Sequence, residues 1–551
     1  MKKKQDNIQT SKEMDSIEIM HQNINQMNIL EGYDVIILCS SNEIQAEYWQ
    51  KRFEKIQGQI IPESSKIISV HEDWEGGAGN GLGTLYAFQK ACKISQTNFN
   101  LNLFKQLSEN KISVSLYHTA GKGTRLAPLP GAENNNKPGV KLPTCIQIDN
   151  ISTPLSILEA VIKQTSVYAP YRKGRLSVYW GDQVFIPSVP IHYKPLYHID
   201  ILCKLGPMPD ADTWIKNGFE KYGLIAINES GNGAQIEKVS HTDACHLLKN
   251  LGKVKNVGIS LGSFSISSEM LKLLFDCFSL ELKTKTGKYD TDPHFWMPFT
   301  LSEKGYVHLM KKKDIPEDES KKHYSRMQTC LKSLPKDCKI FGPVDIGMDS
   351  YWWDYGQLKL YFSNNMRIID SGQESMMYRK FFRLPENTGS IMQSFLDLKN
   401  IQIDQSSILS FSSLEKGIIH KSVLNNVYCQ SLQVDTSILI NVTAKSVKTG
   451  KNCLVYNVID ETEKGIVLND NEVLVGIFNS QGKQRLIRST LEHDGGIHWK
   501  HHFRNDQPSF EEIYKENISV NINEIEKIKN KEFLEKKKHI QLLNQNGKFI
   551  Q

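Results

Sequence analysis

The chain opens on a polar stretch, residues 1–30, rich in Lys, Asn, Gln and Met, which reads as a loose tail with at most one helical turn. An unbroken apolar run follows, Asp34-Val35-Ile36-Ile37-Leu38-Cys39, the pattern of a strand buried on both faces. Past a Ser40–Asn42 turn, apolar residues recur at helical spacing from Glu43 to about Ile56. A short β-branched run, Ile67–Val70, leads into a glycine-dense loop and a helix over Leu82–Cys92. A third strand, Ile112–His118, enters a second Gly-rich turn. The alternation continues to about residue 275 and predicts an α/β domain around a largely parallel sheet.

After about residue 395 the texture changes. Between Ile403 and Val458 the helical period almost vanishes and proline is absent. Single aliphatics (Ile408, Leu414, Ile419, Leu424, Leu432, Ile438, Val442) punctuate runs of Ser, Asn, Lys and Gln. That spacing predicts a parallel β-helix, each rung turning one aliphatic inward, with a plain antiparallel sandwich as the alternative. The last forty residues read as a charged helix and tail whose Lys run is a solvated face. The expected plan is a tail over 1–30, an α/β domain over 31–395, a β-helix-like domain over 396–510 and a helical tail over 511–551.

Composition narrows the class. The chain's 551 residues exceed one ordinary domain, and 67 Lys+Arg against 61 Asp+Glu leave it nearly neutral. Nothing in that balance points to a nucleic-acid partner. Ten scattered cysteines without a C-x-x-C pair fit a reducing compartment and argue against a disulfide scaffold or a zinc site. Three N-terminal lysines lack an apolar segment behind them, and no apolar run approaches membrane-spanning length, so a cytoplasmic protein without membrane contact is expected.

The segment richest in chemistry is His118-Thr-Ala120-Gly121-Lys122-Gly123-Thr124-Arg125-Leu126-Ala-Pro128, followed by Lys137-Pro138 and Lys141-Leu142-Pro143. It combines a strand end, glycines that let backbone N–H groups approach phosphate oxygens, an arginine suited to a bidentate clamp, and lysines. It is not a Walker A loop, because G-x-x-x-x-G-K-[ST] is absent.

This segment resembles the G-x-G-T-R…K-P signature of the sugar-1-phosphate nucleotidyltransferases. It departs in Ala120, where glycine is common, and in a longer gap before the lysine. Lys137 or Lys141 could take the family lysine's place, and Lys137 fits better because proline follows it. "RLSVYWGDQVFIP" places Asp182 in a Gly-Asp element like the family's first metal aspartate. "DSYWWDYGQLKLYFSNN" resembles its W-x-D-x-G element, which makes Asp354 the second. "YGLIAINESGNGAQIEKVS" and "VGISLGSFSIS" resemble the sugar-reading elements and point to Glu237, Lys238 and Gly262. Two upstream pieces, "YDVIILCSSNEIQAEYWQKRF" and "HEDWEGGAGNGLGTLYAF", are similar to the opening of fucose-1-phosphate guanylyltransferases and of the bifunctional enzymes that contain them. In those proteins, too, a β-helix follows the catalytic domain.

The resemblance implies a Rossmann-like (GT-A-like) catalytic domain that joins a sugar 1-phosphate to an NTP and releases pyrophosphate. GTP with fucose 1-phosphate is the favoured pairing, and UTP with a hexose or amino-sugar phosphate the alternative. Mg²⁺ would sit on Asp182 and Asp354, with Arg125 and Lys137 completing the catalytic set. Gly79, Gly81, Gly83 and Thr84, with Ala120, Gly121, Gly123 and Thr124, would contact the nucleotide. The β-helix could serve a homo-oligomer. Two rivals are a glycosyltransferase using the D-x-D of Tyr289-Asp290-Thr291-Asp292, and a non-catalytic regulatory subunit built on the same domains. The histidines 493, 498, 501 and 502 fit no standard zinc spacing. Lys311-Lys312-Lys313 reads as a solvated turn, and Trp352 and Trp353 as wall or core.

Overall fold

Four parallel strands carry the N-terminal half of the molecule: β1 (Val35–Ser40), β2 (Lys66–His71), β3 (Val114–His118) and, beyond the hairpin β4 (Lys141–Ile148) and β5 (Ile151–Ser156), β6 (Arg175–Trp180). The computed structural model describes residues 2–460, 462–544 and 547–550. Met1, Glu461, Gln545, Asn546 and Gln551, which fall in segments read above as tails or β-helix, lie outside the described residues.

Further strands are β7 (Gln183–Ile186), β8 (Tyr197–Pro207), β9 (Gly223–Asn228), β10 (Gly233–Glu237), β11 (Val254–Ser267), β12 (Lys339–Asp345) and β13 (Tyr351–Asp354). The main sheet runs β10-β9-β11-β6-β3-β1-β2, with β8 on the other edge of β11 and β12 beyond β8. Only the β2-β1-β3-β6 half and the β8–β12 pair are parallel, so the expectation of a largely parallel sheet is corrected. The cause is β11. Its 14 residues are long enough to pair antiparallel with β8 along one edge, and with β9 and then β6 along the other.

Apolar residues alternate between the two faces. Ile36, Leu38, Tyr117 and Tyr179 pack under α2 (Glu43–Lys55) and the helix Ile157–Thr165. Val35, Ile37, Val114 and Leu116 pack under α3 (Gly79–Phe99) and the helix Ser268–Cys277. Burial on both faces explains the unbroken apolar run of β1.

The N-terminal segment is not a loose tail. α1 (Lys2–Met27) is a 26-residue helix that buries Met20, Ile24 and Met27, and Asn23 Nδ2 donates to the carbonyls of Pro187 and Val189. Among the described side chains the apolar seam is Ile17, Met20, Ile24 and Met27, too thin to stand out in the sequence.

Past residue 400, strands pair in parallel in chain order: Ser413–His420, Val423–Asp435, Ile438–Thr449, Leu454–Asp460 and Glu472–Phe478. Leu424, Leu439, Val455 and Leu474 therefore lie in one register, and every aliphatic singled out above is buried. A plain antiparallel sandwich is excluded for these strands. Corners that elsewhere take glycine are taken by Asn426, Asn441 and Asn457, all at positive φ, whose side-chain amides hydrogen-bond in a ladder (3.3 and 2.8 Å).

The chain ends in the helices Phe510–Ile518 and Ile522–Leu543. The second buries Ile525, Phe533 and Ile540. Lys529, also buried, pairs with Glu526 and lies 3.6 Å from Glu133, while Lys537 Nζ donates to Asn441 Oδ1 and faces the Tyr428 and Phe533 rings. The lysine-rich helix is thus not simply a solvated face. Among the described residues no helix is long and apolar enough to cross a membrane.

Candidate active site

β1, β2, β3 and β6 all end at the same side of the sheet, where open α/β sheets bind their ligands. Asp182 follows β6 directly, in the turn into β7. β13 pairs antiparallel with β7, setting Asp354 opposite Gln183, and Tyr355 N–H donates to the Asp182 carbonyl (3.0 Å). This two-stranded ribbon brings together carboxylates far apart in the chain. Trp353 and Trp352 anchor it, donating to Glu374 Oε1 (3.0 Å) and Gln183 Oε1 (2.9 Å).

Lys137 Nζ forms an ion pair with Asp182 Oδ2. A β-carbon built on Gly356 would lie 2.9 Å from Asp354 Oδ1, 3.3 Å from Asp182 Oδ2 and 3.6 Å from Lys137 Nζ, so the three groups converge on one point. Glycine at 356 leaves that point open, and its N–H donates to Asp354 Oδ1 (2.7 Å). Burial raises the Asp354 carboxyl above its ordinary range and the Asp182 charge adds to the rise, while Gly356 N–H, Lys137 and Arg125 pull against it. Lys141 is elsewhere: its Nζ lies 3.2 Å from the buried Glu133, so Lys137 is the lysine that meets the carboxylates.

The Gly-Thr-Arg turn packs on the stem of Lys137, and the Arg125 charge is felt at Asp354. Ala120, Gly121 and Arg125 are exposed, and a side chain at Gly121 (φ +126°) would meet open space. Gly123 has φ +64°, and a β-carbon there would press within 3.1 Å of Lys137 Cβ and Cγ, so the glycine allows the turn to lie on the lysine stem. The C-terminal region props the turn from outside, which no sequence signal indicated. A β-carbon at Gly495 would collide with the Thr124 carbonyl (2.1 Å), Asn517 Nδ2 donates to the Gly131 carbonyl (2.8 Å), and Lys122 lies over the Tyr514 ring. His493 of the same region stacks on Phe503 (3.6 Å between centroids).

The upstream glycine loop divides in two. Gly79 and Gly81 pack against the Tyr289–Trp296 segment, where a β-carbon would come within 2.7 and 2.8 Å of the Tyr289 carbonyl. The first N–H groups of α3 are spent there too: Asn80 donates to Asp290 Oδ1 (2.9 Å), and Gly81 and Leu82 to the Tyr289 carbonyl (2.9 and 3.1 Å). Gly83 and Thr84 lie instead at the strand ends, beside Glu72 and His118. Thr84 Oγ1 and His118 Nε2 are 2.9 Å apart, and His118 stacks on Trp180. Burial pushes the imidazole down to about 4, so it is neutral near pH 7.

Gly262 sits where β11 leaves β9 and joins β6. Its φ of +74° and a virtual β-carbon 2.3 Å from Trp180 Nε1 show that only glycine lets the strand pass the indole. Glu237 ends β10 and pairs with Lys313 (2.7 Å) and Lys238 (3.3 Å). Burial works to raise its carboxyl, but the two ammonium groups hold it below the ordinary value. Lys312 pairs with Asp243 (2.8 Å), and Lys311, Lys312 and Lys313 lie exposed at the end of the helix Glu303–Lys311 and in the turn that follows, as the sequence predicts. Asp292, half-buried, accepts from Gln235 Nε2 (3.3 Å), and burial with the nearby Glu237 raises its carboxyl to about 7. In the D-x-D, then, Asp290 accepts from the first turn of α3, and Asp292 feels the charges of both Glu237 and Asp290.

Arg125, Lys137, Asp182 and Asp354 form one constellation, Gly123 and Gly356 shape it, and Gly262 borders it through Trp180. Two carboxylates that share a site suit a hard cation completed by phosphate oxygens. Among the described residues one group of three possible ligands, His198, Asp337 and Cys338, lies at the opposite end of the sheet, where both His198 nitrogens already contact Ser267 Oγ and the Pro335 carbonyl. No protein-family model matches the chain, and no curated protein matches it in sequence.

Proposed function

We propose that the chain is a sugar-1-phosphate nucleotidyltransferase, which joins a sugar 1-phosphate to an NTP and releases pyrophosphate. One observation carries the reading: Lys137, Asp182 and Asp354 converge on the open point at Gly356, beside Arg125, at the carboxyl ends of parallel strands. The β1–β3 and β6 half is consistent with a Rossmann-like nucleotidyltransferase domain. The parallel rungs with their inward aliphatics and asparagine corners support a β-helix behind it. GTP with fucose 1-phosphate is the pairing that this layout favours, with UTP the alternative.

In this reaction a sugar phosphate oxygen attacks the α-phosphate and pyrophosphate leaves in line. The nucleophile is already ionised near neutral pH, so no side chain need remove a proton. The task is to bring two anions together and neutralise them. Arg125, exposed on the turn, would hold the departing β- and γ-phosphates. Lys137 would leave Asp182 to offset charge on the transferring group. Asp182 and Asp354 would hold a Mg²⁺, which when bound supplies charge neutralisation at the transferring phosphate. His118, neutral and stacked on Trp180, would wall the crevice without adding charge. Glu237 and its lysines would meet the sugar hydroxyls.

The test is pyrophosphate release with Mg²⁺, scanning four NTPs against fucose, glucose, mannose and N-acetylglucosamine 1-phosphates. Release that requires one NTP and one sugar phosphate is expected. Silence across the panel, from folded protein, overturns the proposal in favour of a regulatory chain.

A further inference from the structure

Away from the crevice, a cavity of about 440 Å³ opens where the end of α1, the β4–β5 hairpin and the start of the rung domain meet. That volume suits a small organic ligand. Two cations line it. Lys163, half-buried on the helix Ile157–Thr165, donates to the Phe381 carbonyl and lies 4.6 Å from the Phe381 ring centroid. Arg383 stands at the exposed rim in a left-handed conformation (φ +54°), held there by Asn28, whose carbonyl accepts from Nη2 (2.6 Å) and whose Oδ1 accepts from Nε (3.2 Å).

Among the described residues neither cation has a carboxylate partner, and no carboxylate lines the cavity. Elsewhere several buried cations are answered by carboxylates, Arg52 by Glu159, Arg172 by Asp200 and Lys141 by Glu133, whereas Arg379 donates only to carbonyls and Lys537 to Asn441. Two basic groups facing one void hold their charge together at low cost only when a ligand supplies an anion. The rest of the lining suits the remainder of such a ligand. Phe382, Met392 and Phe411 offer apolar wall, and the Asn28, Gln59 and Gln147 side chains line the cavity while hydrogen-bonding within the protein.

We propose that this cavity binds a phosphate monoester of a sugar or nucleoside, its phosphate between Lys163 and Arg383, at a site separate from the catalytic crevice. The inference does not depend on the proposed reaction. The remaining titratable lining group is Cys145, whose thiol burial pushes up to about 12, so it stays neutral. Burial, with Arg383 adding to it, lowers the Lys163 amine to about 7. An anion beside it favours the ammonium form, so ligand binding above pH 7 must draw in a proton.

The test is isothermal titration of the full chain at pH 8 with glucose 6-phosphate, GMP and inorganic phosphate, in two buffers of different ionisation heat. At least one ester is expected to saturate with uptake of about one proton, because the free amine is mostly neutral there. Its affinity should fall at least tenfold in Lys163→Met and in Arg383→Gln, and be unchanged in the crevice variant Lys137→Met. If Lys163→Met does not fold, Arg383→Gln at the exposed rim decides alone. Inorganic phosphate binding as tightly as the esters would reduce the site to a free-anion site and overturn the ester assignment. Failure of all three to saturate, binding without proton uptake, or loss in Lys137→Met instead overturns the proposal outright.

Discussion

Replacing Lys137 by Met leaves two carboxylates facing one open point without the cation that now divides them. At about 4 Å and an effective dielectric of about 20, one such charge pair is worth about 4 kcal/mol. Lys137 and Asp182 retain 17% and 27% of their side-chain exposure, and solvent screening reduces the pair to about 1–2 kcal/mol. In the resting protein the lysine competes with a divalent cation for Asp182, so its loss should tighten Mn²⁺ binding about 5- to 30-fold. The same loss removes charge stabilisation from the transferring phosphate and should lower kcat/KM by about 10²–10³. Tighter metal with poorer turnover is a pairing that general damage to the site would not produce. Isothermal titration with Mn²⁺ and steady-state pyrophosphate release read the two effects separately. Unchanged turnover, or Mn²⁺ affinity that stays level or weakens, would refute the reasoning.

Other consequences follow from single contacts. Gly123→Ala places a β-carbon at φ +64° within about 3.1 Å of the Lys137 stem. It should cost about 1–2 kcal/mol in urea unfolding and displace the lysine enough to slow turnover about tenfold. Glu133→Gln strands Lys141 and leaves Lys529 with Glu526 alone, their ammonium groups lying 3.2 and 3.6 Å from the buried carboxylate. A loss of about 3–5 kcal/mol is expected by denaturant titration, and a loss under 1 kcal/mol contradicts the ion-pair account. Asp292 has its folded-state carboxyl raised to about 7, so its contribution to stability is present below pH 4 and is lost as pH rises through 7. Asp292→Asn should therefore be more stable than the parent at pH 8, by up to about 2–4 kcal/mol, with the difference vanishing below pH 4.

The local patterns were legible. The run Val35–Cys39 and the helical period after Glu43 are driven by burial within a few residues of themselves, and they appear as β1 and α2. The seven aliphatics named between Ile408 and Val442 all turn inward for the same reason. What pattern alone could not supply is partner choice across the chain. β11 pairs along both edges because of its length and its break near Gly262, and a strand's partners leave no trace in its own alternation. Asp182 and Asp354 were singled out by resemblance, while the ribbon that brings them together rests on β7 and β13, four residues each. Lys311, Lys312 and Lys313 are exposed as the pattern predicts, but the pairing of Lys313 with Glu237 is not legible there, because the two are distant in sequence. Gly79 and Gly81 carry the composition of a phosphate loop, yet they make room for Tyr289 and Phe295. Glycine says that something approaches closely and does not say what.

The central claim is that the crevice at Gly356 transfers a nucleotidyl group onto a sugar 1-phosphate. The direct measurement is mass-spectrometric detection of the nucleotide-sugar after incubation with Mg²⁺, all four NTPs and the sugar 1-phosphate panel. It should be run in parallel on the parent protein, Asp182→Ala and Asp354→Ala, with folding checked by circular dichroism. The account predicts one nucleotide-sugar from the parent and none above background from either variant. Product formed equally by all three proteins would contradict the assigned site, and no product from the folded parent would contradict the reaction.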